Sequence, residues 1–192
     1  MIAPDSLAEV ESALCRHFGH RPVRASISFV GVAPLEVLRF EPIPGERAYL
    51  SLGMSREPMS DPAQPVPNGT GPRAELMLQV CDAVDAHADV WRQLAVLAAA
   101  PSVEGVVYAP GMSVDLERPL APGSQCTGAL VVESPLAPIA VPAGQVVVLQ
   151  LLPATSSELA WCRARGSSGL RERWTDRGVD LRDLTRPGVE LG

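Results

Sequence analysis

The clearest alternation of hydrophobic and polar positions lies on either side of a long interruption between residues 49 and 80. Tyr49-Leu50-Ser51-Leu52-Gly53-Met54-Ser55 sets small or polar residues against larger apolar ones, the period of a half-buried strand. Arg73 to Val80 alternates more strictly. Ala74, Leu76, Leu78 and Val80 share one face, and Arg73, Glu75, Met77 and Gln79 share the other. The two runs read as an antiparallel pair with one face inside and one outside. Between them, Pro58, Pro62, Pro65, Pro67, Gly69, Gly71 and Pro72 exclude a ladder or helix. Glu57 to Pro72 is therefore expected to cross the surface as a loop that is either disordered or used for binding.

The same reading places the remaining elements. Pro4 to Gly19 predicts an amphipathic helix with Ser6 and Glu9 as a capping box, an apolar stripe of Leu7, Val10, Leu14 and Phe18, and Gly19 as the stop. Residues 24–30 and 36–40 predict strands that lead into the central pair. Ala86 to Ala100 carries Val90, Trp91, Leu94 and Leu97 at helical spacing, with Pro101 as terminator, and is expected to cover the sheet. Residues 128–133 and 145–152 predict strands, the second so continuously apolar that it belongs in the sheet centre with both faces buried. Thr155 with Glu158 forms a second capping box, opening a helix that Gly166 ends. Ser168, Leu170 and Trp174 mark another short helix, stopped at Gly178. The fold class is α+β: a single domain over residues 1–192, with a central mixed or mostly antiparallel β-sheet covered by several α-helices.

Charge narrows the partners. The net charge of −6 argues against a nucleic acid or an anionic membrane as the main partner. The sign is uneven, because residues 161–192 hold seven of the 16 basic residues and five of the 22 acidic ones. Every basic residue is Arg. The N-terminus shows no leader pattern and no run has the length of a membrane span, so a cytoplasmic location is expected. Cys15, Cys81, Cys126 and Cys162 are scattered without a C-x-x-C pair, as expected for buried thiols in a reducing compartment.

Catalytic patterns are sparse. Without Lys there is no Walker loop, and there is no G-x-S-x-G elbow or H-E-x-x-H helix. Cys15, His17 and His20 are close in sequence, but Cys15 and His17 stand on opposite sides of a helix and do not converge on a metal. Asp82 with Asp85, and Asp180 with Asp183, read as solvated caps. Neither a cofactor nor a metal is expected. An enzyme, if this is one, would place a hydrolase or transferase site near Cys81, His87 and Glu75.

Four segments taken in order resemble the suppressor of fused family: Tyr49 to Ser55, Arg73-Ala74-Glu75-Leu76, Pro119-Leu120 within the stretch opened by Gly111, and Leu151-Leu152-Pro153-Ala154-Thr155-Ser156-Ser157-Glu158-Leu159. The similarity runs from about residue 48 to about residue 186, with the N-terminal helix over residues 5–18 expected to pack on that domain. The resemblance implies a mixed α/β domain that acts by binding other proteins rather than by catalysis. In eukaryotic members a short peptide is gripped as an added strand. Bacterial single-domain members are thought to include immunity proteins that neutralise a toxin. Where the eukaryotic pattern has an acidic residue after the glycine, Met112 stands here. Carried onto this sequence, the resemblance marks Ser55, Arg56, Glu57, Arg73, Glu75, Gly111, Met112 and Glu158 as candidate partner-binding residues. Residues 55–57 and 111–113 would flank an open edge of the central strands. Three of these positions also have structural readings, Arg73 with Glu75 as a surface ion pair and Glu158 as a cap. The expected partner is a protein or peptide, with a toxin as one candidate.

Overall fold

The computed structural model of the chain describes residues 4–61, 63, 71–81 and 87–191. Eight strands form one sheet: β1 (Val23–Ile27), β2 (Leu35–Phe40), β3 (Glu46–Leu52), β4 (Arg73–Cys81), β5 (Ser113–Asp115), β6 (Cys126–Glu133), β7 (Ile139–Val141) and β8 (Gly144–Thr155). The spatial order is β1-β2-β3-β4-β8-β6-β5, with β7 also paired to β8. Among the described strands only the β4–β8 pairing is parallel; the others are antiparallel. The expected mixed sheet is present, and β3 and β4 pair antiparallel as their alternation predicted. Both are interior strands, however, so neither offers the open edge that residues 55–57 and 111–113 were expected to flank.

Helices cover both faces. Side chains alternate along each strand, so Ala74, Leu76, Leu78 and Val80 of β4 face one way and pack with Val90, Leu94 and Leu97 of α2 (His87–Glu104). Met77 faces the other way, in a cluster with Val10 and Leu14 of α1 (Pro4–Phe18). On that second face, farther along the sheet, Leu130 and Val132 of β6 meet Leu159 of α3 (Ser156–Arg165) and Leu170 and Trp174 of α4 (Ser167–Asp176). β4 is thus buried on both faces, which corrects the expectation of an inside and an outside: Glu75 and Met77 are as buried as Leu76. β8 holds the expected central position, with Val146 and Val148 in one cluster and Leu149 and Leu151 in the other. No helix among the described residues is long and apolar enough to cross a membrane.

Three local expectations are revised. The first helix already begins at Pro4, so Ser6 lies inside it, and the Ser6 hydroxyl is buried without a hydrogen-bond partner among the described residues instead of capping with Glu9. The hairpin of β7 with β8 was not anticipated, because three residues bounded by Pro138 and Pro142 give too short an alternation. Finally, α2 runs through Pro101 to Glu104.

Pro101 brings no N–H to the carbonyl four residues back, that of Leu97, and an interior proline is ordinarily a breaker for this reason. Here the Tyr108 hydroxyl donates to the Leu97 carbonyl at 2.7 Å and fills the vacancy. The same bond ties the segment after α2 back onto it. The Tyr108 hydroxyl is pushed above its usual pKa by burial and by Glu104, so it remains a donor at physiological pH. Tyr108→Phe is expected to cost about 1–3 kcal/mol by leaving a buried carbonyl unsatisfied. Adding Pro101→Ala should restore much of that loss, since a backbone N–H then reaches Leu97. Denaturant unfolding of the two single variants and the double variant checks this: additive losses would mean that the hydroxyl does not replace the helix bond.

Candidate functional site: a cleft on the flank of β8

The β3–β4 ladder ends at the Leu50 and Met77 pair. Beyond it the strands separate, and side chains replace backbone pairing. The Ser51 hydroxyl accepts the Leu76 N–H at 2.8 Å and donates to Glu75 Oε2 at 2.5 Å. Glu75 Oε1 accepts the N–H groups of Gly53 (2.8 Å) and Ser55 (3.1 Å) and the Ser55 hydroxyl (2.7 Å). The carboxylate therefore sits at the start of the short 3₁₀ turn Met54–Arg56, where free N–H groups favour an anion. Gly53 has φ +123°, and a Cβ there would lie 3.2 Å from both Leu35 Cδ2 and the Pro34 carbonyl oxygen, so the turn requires glycine. At the other end of the turn, Arg73 Nη1 donates to the carbonyls of Ser55 (2.9 Å) and Arg56 (2.8 Å). Arg73 and Glu75 are both buried. Rather than forming a surface ion pair, they clamp the two ends of one turn.

Glu158 is a second buried carboxylate with a similar task. It completes the expected capping box: the Glu158 N–H donates to Thr155 Oγ1 at 3.3 Å, and Glu158 Oε2 accepts the Thr155 N–H at 2.8 Å. It also accepts the Trp174 indole N–H (3.1 Å), both Arg186 Nη groups (2.9 Å each) and the Val189 N–H (3.1 Å). One side chain therefore joins the start of α3 to α4 and to the C-terminal tail. Burial by itself raises its pKa. The hydrogen bonds from Arg186, Thr155 and Val189, together with the Arg186 charge, outweigh that and hold the carboxyl below the ordinary glutamate value.

Beyond the turn held by Glu75 and Arg73 lies a cleft of about 490 Å³. One wall is Met59 and Pro72, joined by the Met59 N–H to the Pro72 carbonyl at 2.9 Å and lying just beyond the clamped turn. A second wall is residues 107–110. It is anchored by Tyr108 and by mutual backbone bonds, Gly111 N–H to Val131 and Val131 N–H to Met112, each 2.8 Å. A third is Glu133, Ser134, Leu136 and Pro138, and the floor is Val147 to Leu149 of β8. The floor lies open because pairing is interrupted there. β6 ends opposite Leu149 and β7 begins opposite Val146, so among the described strands none pairs with Val147 or Val148 on this flank. A larger groove of about 670 Å³ runs beside α1, sharing Leu136 and Pro138 but lined also by Glu9, Arg16 and His17. The smaller cleft is the more apolar of the two.

The candidate residues divide accordingly. Ser55, Arg73, Glu75 and Glu158 are buried supports; Arg56 and Met112 are partly exposed, and Glu57 and Gly111 exposed, beside the cleft walls. The structure does not bring together the alternative enzymatic set. Cys81 stands six residues from Glu75 along β4, about 20 Å at the rise of a strand, and the His87 side chain lies outside the described residues. So do Asp82, Asp85 and half of the 57–72 loop, namely residues 62 and 64–70. The cleft itself escaped prediction, since its walls come from three separate connections and its floor from a strand.

Comparison with known proteins gives a consistent result. The family model described as Suppressor of fused protein (SUFU) matches residues 31–187. Among solved structures, a protein described as a SUFU homolog from Neisseria gonorrhoeae is similar at TM-score 0.69 and 19% identity, over 99% of this chain and 100% of that one. A chain of the Sufu-Fu complex is similar at TM-score 0.68 and 15% identity, covering 95% and 91%. Drosophila Suppressor of Fused is similar at 0.66 and 15%, covering 97% of this chain and 53% of that one. No curated protein matches the sequence.

Two measurements test the supports. Glu75→Gln turns an amide N–H₂ toward donors and is expected to cost about 2–4 kcal/mol in denaturant unfolding; a loss under about 0.5 kcal/mol, typical of a surface change, would contradict the clamp. For Glu158 the folded pKa is depressed. Its contribution is complete above the unfolded glutamate value of about 4.3 and is lost as pH falls through the lower folded value. Wild type should therefore lose more stability than Glu158→Gln between about pH 6 and about pH 3, while Arg186→Met should cost about 3–5 kcal/mol near neutrality. Identical pH profiles for wild type and Glu158→Gln would show that the carboxylate is not held ionised.

Proposed function

The chain belongs to the suppressor of fused family, and from that premise we propose that it is a non-enzymatic protein-binding module that grips a segment of a partner protein in the cleft on the flank of β8. The observation that carries the reading is the interruption in pairing at Val147 and Val148, floored and walled by apolar side chains. An extended segment laid there would find backbone groups beside a dry surface, the combination that strand addition uses. The place differs from the edge of the central strands that sequence suggested, because β3 and β4 are paired on both sides.

The lining also supports binding over catalysis. Its ionisable residues are Glu133 and Tyr108, and the Tyr108 hydroxyl is already committed to Leu97. A site for hydrolysis or group transfer needs a nucleophile and a base within hydrogen-bond reach. A relative solved as the Sufu-Fu complex lends weight to a protein partner. The narrower form of the proposal is an immunity protein in the cytoplasm whose partner is a toxin that it neutralises by holding it.

Co-expression with the protein encoded by the neighbouring gene tests both forms. Wild type should co-elute with that protein, and Ala109→Arg and Ser134→Arg, which place a charge in the cleft, should each weaken the complex at least about tenfold. If the partner arrests growth, wild type should relieve the arrest and the variants should not. A complex that is indifferent to both variants contradicts the cleft. A complex that forms without relieving growth arrest contradicts immunity and leaves binding intact.

A further inference from the structure

The outer side of α3 and α4 carries a cationic patch that the cleft does not use. From Trp161 to Arg177 there are five arginines against two acids, Glu172 and Asp176, in a chain of net charge −6. Arg163, Arg165 and Arg171 are exposed, and among the described residues none of them is in an ion pair; Arg177 is taken up by Glu190. A favourable charge at the end of α3 accounts for Arg163 and Arg165, but it leaves Arg171, in the middle of α4, without that reason to be there.

Trp161 stands half-buried among them. Gly169 brings α4 flush against its ring, since a Cβ there would lie 3.0 Å from the indole, and the Arg173 guanidinium stacks over it at 5.1 Å from the centroid. A partly exposed Trp beside arginines has the composition of an interface anchor. A merely solvated helix face mixes charges of both signs.

The patch joins the cleft. Ser167, the first residue of α4, lies against Gly111, where a Cβ would sit 3.2 Å from Ser167 Oγ, and Gly111 follows Pro110 of the cleft wall. We infer that the segment filling the cleft with apolar side chains continues across Gly111 and presents Asp or Glu residues to Arg163, Arg165 and Arg171. The inference rests on the cleft reading and adds the chemistry of the partner: an apolar stretch flanked by acid. A protein segment fits better than nucleic acid or an anionic lipid surface, because a chain of net charge −6 repels an extended polyanion while a local patch still attracts a few carboxylates.

The test selects displayed random peptides on the intact protein and measures the enriched peptides as synthetic ligands. They are expected to pair apolar residues with Asp or Glu on one side. Their affinity should fall at least about tenfold in the Arg163→Glu, Arg165→Glu, Arg171→Glu triple variant, and on raising salt from about 0.05 M to about 0.5 M. These side chains are exposed, so the variant should stay folded, with its melting temperature lowered only by the small cost of reversing the charge at the end of α3, and a conservative triple change to Lys should keep both the wild-type melting temperature and most of the binding. Failure to enrich any peptide, peptides without acidic bias, or affinity indifferent to the triple variant each overturns the inference. Loss on Ala109→Arg alone would leave the cleft standing without the patch, and loss on the triple variant alone would remove the cleft. Single-stranded DNA or phosphatidylserine vesicles that bind more tightly than the peptides, and are released by the same triple change, would assign the patch to a polyanion instead.

Discussion

A carboxylate taken out of water must be surrounded by donors, and Glu75 meets that condition where a β-ladder has come apart. Removing such an ion from solvent costs several kcal/mol unless its lone pairs are filled. Ser51, Gly53 and Ser55 fill them with two hydroxyls and two backbone N–H groups. The geometry is demanding in return. Satisfying Glu75 fixes the turn after β3, and Arg73 then fixes the far end of that turn through two carbonyls. The stretch that reaches Met59 and the cleft leaves from a point held on both sides.

Glu158 repeats the device at the other end of the molecule, with Arg186 added as a counter-ion. Tyr108 supplies a neutral version. In all three cases a buried side chain replaces a backbone partner that regular secondary structure fails to provide: a splayed ladder, a helix start with a loose tail, and a helix interrupted by Pro101. Of the three, Tyr108 lines the cleft, and the Glu75 turn leads into Met59 of another wall. Rigid walls matter to a binding site, because a partner then does not have to order the receptor as well as itself. Half of the residues that the family resemblance singled out, Ser55, Arg73, Glu75 and Glu158, hold the fold together and do not face a partner.

Much of the architecture was legible because it depends on local periodicity and chemistry. The unbroken run in β8 announced a strand buried on both faces, and Thr155 with Glu158 announced the start of α3 by spacing alone. Glu75 was misplaced for an equally physical reason. Alternation sorts residues by polarity, and a polar residue is assigned outward unless its partners are known; those partners lie 20 to 24 residues earlier in the chain, as serine and glycine positions with no pattern of their own. Ser6 failed in the opposite sense, since a capping pattern was present but the helix began before it. Pro101 could be read correctly only with Tyr108 in view. The cleft arises from two strands that stop short on the same flank of β8, a matter of register that periodicity does not encode.

The proposed binding by a surface assembled in this way depends on the turn after β3 being part of the core. Amide hydrogen exchange of the unliganded protein, resolved at Gly53 and Ser55, tests that dependence most directly. If the buried Glu75 carboxylate holds the turn, both amides should exchange as slowly as those of β4, opening only with global unfolding. Exchange at the rate of an ordinary exposed loop would mean that the carboxylate does not organise the turn, and that the cleft wall beyond it is not preformed.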